Sequence, residues 1–403
     1  MKKRTLAMLL ACTMMLSIAL TGCGGKDNGG GGGGNGGANT AVTEDGRDAD
    51  GNIVDLTAYA ISLGAQWFTE EDNEIWEHIQ DKSDNPDKIV WRHGTTNRSY
   101  DESPSLRGEK RMFIEIKKAL GDRVEFQFYF NSTLGGTADQ ILGGLQAKNF
   151  EGYSYNVGAF YEYTRAFTPL DVGFLIPDTE AGIAVCAPGS EARDLMINKC
   201  IDDTGLRVLV MGAIGMRHIT NDKRPITTLD DMKGLKIRVQ NNNLHMSMFE
   251  ALGCSPTPIA FSELFTALQQ KTVDGQENPI SNIFEQNYVE VQKYMTLSNH
   301  LYTAGANVIN EEWFNALPAD VQEIIMDAAA KGQEQSGKDL INCEEQMLDY
   351  MKSAGMEVTE LTPEAQEEFK NRAMSMWDEA GGVMGQEYWD SVRTAIEDVV
   401  SGM

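Results

Sequence analysis

Leu235-Lys236-Ile237-Arg238-Val239, then Asn243 to Leu252 closed by Gly253, is the stretch on which the fold turns. Leu235, Ile237 and Val239 fall on one face of a period-two ribbon and Lys236 and Arg238 on the other, the alternation of a strand. The run that follows has helical spacing and stops at a glycine. The same alternation continues outward in both directions. Upstream, Ile89-Val90-Trp91 predicts a buried strand. Pro104 to Leu120 predicts a helix with Met112, Phe113, Ile116, Ala119 and Leu120 on one stripe, and Val124, Phe126 and Phe128 predict a strand. Thr137 to Lys148 predicts a helix, Gly182 to Cys186 a strand, Ser190 to Ile201 a helix and Arg207 to Met211 a strand; downstream, Ser262 to Lys271 predicts a helix. Strands alternating with helices predict an α/β chain with largely parallel sheets covered by helices on both faces.

Pro318 to Met351 departs from this pattern. Val321, Ile325, Ala328, Gly332, Leu340, Cys343, Met347 and Met351 recur at helical spacing. One helix of that length would reach about 50 Å at 1.5 Å per residue, more than one lobe needs. It is therefore either two helices broken near Gly332 or Gly337, or one helix that bridges two lobes. Thr362-Pro363 opens a further helix, with proline in the first turn. Residues 41–86 are acidic and poor in apolar side chains, apart from a short stretch from Tyr59 to Phe68. They predict an N-terminal extension packed loosely on the body, with a helix starting at Thr69 and Asp72 in the capping-box position.

The N-terminus reads as a targeting segment. Lys2, Lys3 and Arg4 precede an apolar stretch from Leu6 to Leu20, too short and too soon followed by glycine to span a bilayer. Residues 1–22 are thus expected to be a signal peptide. Residues 23–40 are rich in glycine after Cys23, ten of seventeen residues, and would form a flexible tether reaching about 20 Å. Of the 403 residues, the first 22 carry +3 and no acid, so a formal net charge of -26 leaves the remainder near -29. That excludes a nucleic-acid partner, since nothing basic could neutralise phosphate, and it excludes a polybasic membrane patch. Cys186, Cys200, Cys254 and Cys343 allow three pairings, lack metal-type spacing, and read as buried free thiols. The five histidines form no HxxxH or HExxH pattern, so no metal site is expected.

No GxSxG, Walker A or strand-borne GxGxxG is present, so no catalytic residues and no cofactor are expected. By pattern alone Arg238 is a solvated surface arginine, and Asn278, before Pro279, a turn residue. The residues of this region, however, resemble a known family. Met232-Lys-Gly-Leu-Lys-Ile-Arg-Val239, Ala251-Leu-Gly-Cys-Ser-Pro-Thr-Pro-Ile259, Val273-Asp-Gly-Gln-Glu-Asn-Pro279 and Val291-Gln-Lys-Tyr-Met-Thr-Leu-Ser-Asn-His300 are similar, in order and spacing, to the motifs of C4-dicarboxylate-type (DctP-like) solute receptors of TRAP transporters.

The resemblance covers roughly residues 87 to 395 and implies a two-lobed periplasmic-binding-protein-like fold with a long bridging helix and a ligand cleft. Residues 87–212 and 304–343 would form lobe I, and 213–303 and 344–403 lobe II. It implies that Arg238 clamps the carboxylate of a small organic acid, a role that suits a guanidinium in a closed cleft. Asn278 would share that carboxylate, and Arg217, in Gly215-Met-Arg-His-Ile-Thr220, would contact it or a neighbouring ligand oxygen. The fold is expected to survive loss of any of the three. Asn156 stands where some relatives place an acid, and is carried as a fourth, neutral ligand-binding residue. The partners implied are the membrane permease subunits. The alternative readings are a ligand-sensing lipoprotein of the same fold and, more remotely, an α/β enzyme acting on a small acid.

Leu20-Thr21-Gly22-Cys23 resembles the lipobox of bacterial lipoproteins, which implies cleavage before Cys23 and attachment to the membrane only through lipid on that residue. Replacing Cys23→Ser should release soluble or unprocessed protein in a membrane fractionation. A mature Ser variant that stays with the membrane would rule the lipobox out.

Overall fold

The computed structural model describes residues 43–403, apart from residues 49, 50, 52, 54 and 66. The expected signal peptide, the Cys23 anchor and the glycine-rich linker lie outside the described residues. Eleven strands follow one another: β1 (Ile89–Thr95), β2 (Val124–Tyr129), β3 (Gly152–Asn156), β4 (Leu206–Val210), β5 (Ala213–Asn221), β6 (Lys236–Val239), β7 (Ser255–Pro258), β8 (Gly275–Pro279), β9 (Tyr294–Leu297), β10 (Tyr302–Asn310) and β11 (Glu357–Glu360). In the first half, β1 lies parallel between β2 and β3. In the second, β6 lies parallel between β7 and β8, and β9 parallel to β11. The parallel prediction therefore holds within each half. It fails at the centre, where β5 runs antiparallel to β8 and β9, and β10 antiparallel to β3, β4 and β5. Near its start β10 pairs with β5 (Tyr302↔Met216), and further along with β4 (Asn310↔Leu206). Two chain passes thus cross between the halves side by side, and all nine residues of β5 are buried.

The helices are α1 (Leu56–Ala65), α2 (Glu70–Glu77), α3 (Arg107–Leu120), α4 (Ala138–Gln146), α5 (Thr179–Val185), α6 (Glu191–Thr204), α7 (Asn243–Ala251), α8 (Phe261–Gln269), α9 (Ile280–Glu285), α10 (Glu311–Asn315), α11 (Ala319–Ser353), α12 (Pro363–Met374), α13 (Trp377–Met384) and α14 (Gln386–Ser401). The long segment is one unbroken 35-residue helix, α11, of about 52 Å. Val321, Ile325 and Ala328 bury into the first half beside Trp91 and Phe113, whereas Cys343, Met347 and Met351 bury into the second beside Phe284 and Met295. The bridging alternative is the one observed. Gly332 is a contact, not a break: a Cβ there would lie 2.5 Å from the Gly108 carbonyl oxygen, and one on Gly108 would lie 2.5 Å from that of Gly332.

Three expectations are corrected. Residues 179–185 form helix α5, not a strand, because Asp178 caps its first turn by accepting from the Ala181 N–H at 2.8 Å. The extension is not loosely held. Tyr59, Ala60 and Leu63 bury into the second-half core, Arg107 and Arg111 each donate at 2.6 Å to the carbonyls of Ala60 and Trp67, and the Thr69/Asp72 capping box forms as expected. Its few apolar residues suffice because tertiary partners supply the rest. Finally, residues 344–403 do not all join the second half. Phe369 and Ala373 of α12 do, but Trp389, Val392 and Ile396 of α14 pack into the first-half core with Met196 and Val185.

The Gly108–Gly332 approach yields a paired expectation. Gly332→Ala should destabilise by about 1–3 kcal/mol through overpacking, despite the better helix propensity of alanine. Gly143→Ala, in α4 where a Cβ meets nothing within 4 Å, should stabilise by about 0.5–1 kcal/mol. Urea denaturation midpoints of both variants against the parent check the opposite signs.

Candidate functional site

A cavity of about 510 Å³ opens where β3, β6 and β8 end, with walls from both halves. Arg238 reaches it from β6. That strand lies between β7 and β8; on the face that alternation assigns to solvent Lys236 is exposed, but Arg238, two residues on, is 3% exposed at the cavity. Its Nε and Nη2 both donate to the Ile259 carbonyl, at 2.9 and 2.7 Å. Its Nη1 is enclosed and has no partner among the described residues. Burial lowers its pKa to about 10, with Tyr288 and Glu277 opposing, so the guanidinium stays charged at neutral pH. An anion at Nη1 would complete its hydrogen bonding.

Asn278 and Asn156 line the same cavity. Asn278 donates to Gln276 Oε1 and accepts at Oδ1 from Arg217 Nη2 at 3.1 Å and from Asn282 Nδ2 at 3.3 Å. Asn156 caps the turn after β3, its Oδ1 accepting from the Gly158 N–H at 2.8 Å. Arg217 is not brought to the cavity wall. It is fully buried and committed elsewhere. Its Nε and Nη2 grip the Glu277 carboxylate, Nη2 also donates to the Glu277 carbonyl at 2.6 Å, and Nη1 donates to Thr303 Oγ1 at 3.0 Å. This corrects the expectation of direct ligand contact. Against the expectation that the fold tolerates it, Arg217→Ala is now expected to cost stability, since that change would strand a buried carboxylate.

Glu277, which the sequence reading passed over, centres a buried charge cluster. His300 Nε2 lies 3.2 Å and His245 Nδ1 3.8 Å from its carboxylate oxygens. Burial alone would raise its pKa, yet Arg217, His245 and His300 hold it well below the usual carboxylate range. On its other side His245 Nε2 meets Asp171 Oδ1 at 2.9 Å, and Asn242 Nδ2 donates to Asp171 Oδ2 at 2.8 Å. Asp171 belongs to the first half and α7 to the second, so this contact joins them beside the cavity. Three further glutamates, Glu109, Glu162 and Glu285, line the cavity itself. A signal for Glu109 was present: it extends the apolar stripe of α3 by one turn, ahead of Met112 and Phe113. Glu285 carries no such signal. The four cysteines at 186, 200, 254 and 343 are buried and unpaired.

The model of the bacterial extracellular solute-binding proteins, family 7, matches residues 97–381. A solute-binding protein of Verminephrobacter eiseniae is 36% identical over 218 residues, 54% of this chain and 64% of that protein. The 2,3-diketo-L-gulonate-binding periplasmic protein of Escherichia coli is 32% identical over 252 residues, 62% of this chain and 71% of that protein. Among solved structures, a TRAP periplasmic solute-binding protein of Polaromonas sp. JS666 bound to D-erythronate superposes with a TM-score of 0.68 at 28% identity, covering 76% of this chain and 98% of that one.

The charge cluster makes stability depend on pH. Burial pushes His245 toward its neutral form, but Asp171 and Glu277 outweigh it and lift the pKa to about 9. An unfolded histidine titrates near 6.5. The contribution of His245 is therefore complete below about pH 6.5 and lost as pH rises through 9. The urea midpoint should fall between pH 7 and 9.5, and fall less steeply in His245→Asn. Equal slopes in the two proteins would show that His245 is not the group responsible.

Proposed function

Since the chain belongs to the bacterial extracellular solute-binding proteins, family 7, we propose that it captures a small carboxylate around Arg238 and delivers it to a TRAP-type secondary transporter. Its place is extracytoplasmic, as for the family. The reading rests above all on Arg238. Arg238 is an enclosed cation on the cavity wall, with two donors anchored on Ile259 and a third group, Nη1, buried and without a partner among the described residues. A guanidinium held in this way presents a preorganised, weakly hydrated donor to an incoming carboxylate. The likeness to the diketogulonate-binding and erythronate-bound proteins supports the same ligand class.

In this reading Arg238 is the clamp, while Asn278 and Asn156 add neutral hydrogen bonds. Arg217 acts at one remove, by fixing Asn278 and Glu277. The protein binds and releases its ligand unchanged, without catalysis. The lipobox-like stretch ending at Cys23 supports tethering by lipid to the outer face of the membrane, next to the permease subunits that would receive the ligand.

A charge-assisted hydrogen bond contributes about 1.5–3 kcal/mol, and removing Arg238 also leaves the ligand charge unpaired in a dry cleft. Arg238→Ala should therefore weaken binding of the tightest carboxylate in a thermal-shift panel by at least about a hundredfold, at about 1.4 kcal/mol per tenfold. Arg238→Lys keeps charge without the planar fork and should not restore affinity. Asn278→Ala should cost less than Arg238→Ala. Calorimetric titration reads all three, and a Lys variant that binds like the parent would rule out the guanidinium clamp.

A further inference from the structure

Arg238 is the one cationic side chain among the described residues that line the cavity, whereas Glu109, Asp139, Glu162 and Glu285 bring four carboxyls to the same walls. Glu109 and Glu285 are the two in deep settings. Glu109 is 4% exposed, in the first turn of α3. Its Oε2 accepts from Ser154 Oγ, and from Asn307 Nδ2 at 3.1 Å. His93 Nε2 stands 4.0 Å away, but burial takes the His93 pKa down to about 3, so that ring brings no positive charge. Glu285 ends α9, accepting from Asn97 Nδ2 at 3.0 Å and from the Ser105 N–H at 3.2 Å. Neither glutamate is ion-paired with a lysine or arginine among the described residues, and Arg238 pairs with neither.

A ligand with two carboxylates needs two positive centres, and these walls offer one. Its second carboxylate would face enclosed carboxyls that are part-ionised near neutral pH, in a site of low dielectric where like charges repel most strongly. A ligand hydroxyl meets the opposite situation, because an ionised carboxylate has about four acceptor sites, of which Ser154 and Asn307 fill two at Glu109 and Asn97 and Ser105 two at Glu285. We infer that the ligand carries a single carboxylate, held by Arg238, and a hydroxyl-bearing body that donates to Glu109 and Glu285. The site then takes a hydroxylated monocarboxylate such as an aldonate and rejects a C4-dicarboxylate. Burial holds both glutamate carboxyls up to about 7, which fits groups that meet neutral hydroxyls and not cations. The amides of Asn97, Asn156, Gln240, Asn241 and Asn282, on the same walls, supply further hydrogen bonds to a polyol. The inference rests on the carboxylate reading of the cavity given above.

The test is calorimetric titration of the full chain at pH 7 with D-galactonate, D-gluconate, D-erythronate, succinate and L-malate. The tightest monocarboxylate is expected to bind at least about 30-fold more tightly than either dicarboxylate, a gap of about 2 kcal/mol at about 1.4 kcal/mol per tenfold. L-Malate separates the effect of the hydroxyl from that of the second charge. Glu109→Gln and Glu285→Gln keep size while removing the charge. At least one of them, shown folded by its thermal melt, should weaken the monocarboxylate about tenfold or more and narrow the gap to succinate. A parent ratio below 30-fold overturns the inference, as do folded Gln variants that both preserve the ratio. If the dicarboxylates bind tightest, only this inference falls. If none of the five acids binds the folded parent, the carboxylate reading falls with it.

Discussion

Glu277 is an ionised carboxylate with no exposure to solvent, and it persists only because the surrounding chain is arranged around it. Burying such a charge unpaired costs several kcal/mol, and breaking a buried pair about 3–5 kcal/mol. Arg217 answers it from β5, His300 from the approach to β10, and His245 from α7. Those partners span the antiparallel crossing at which the two halves meet. The Arg217 guanidinium also bonds Thr303 of β10, so one ion pair fixes β5, β8 and β10 together. Asn278, the residue after Glu277, inherits its position at the cavity from that arrangement.

Two arginines of similar sequence surroundings thereby receive opposite duties. Arg217 has a carboxylate within reach and is saturated by it. Arg238, which lines the cavity, bonds the Ile259 carbonyl and keeps one buried donor group, Nη1, unmatched among the described residues. A second buried acid beside Arg238 would have closed the site to an anion. The distribution of protein carboxylates, more than that of the arginines, decides which cation stays open.

Much of this was legible in the sequence. The alternation around Leu235 to Val239 is a strand, Gly253 does end the helix before it, and Arg238, Asn278 and Asn156 do meet at one cavity. The long periodic run from Pro318 is one helix. Other features depend on partners distant in sequence. Whether residues 179–185 form strand or helix was settled by Asp178 as a cap and by packing against Tyr302, neither visible in hydropathy. The extension has few apolar residues, yet Arg107 and Arg111 hold its backbone from across the chain. Glu277 and Glu285 look like ordinary surface acids until topology encloses them. Arg217 was placed by motif alone, and motif carries no word of what its neighbour's side chain will do with it.

The near-contact of Gly108 and Gly332 bears on the neighbouring residue. With no side chain between the helices, α3 and α11 meet backbone to backbone, and Glu109 is the next residue along α3. One wall of the cavity is thus dimensioned from the long strut with almost no tolerance. A single methyl at either glycine would push the two helices apart and with them the Glu109 carboxyl that lines the cavity. The width of the cavity at this wall is referenced to the skeleton of the protein, and two glycines set the gauge.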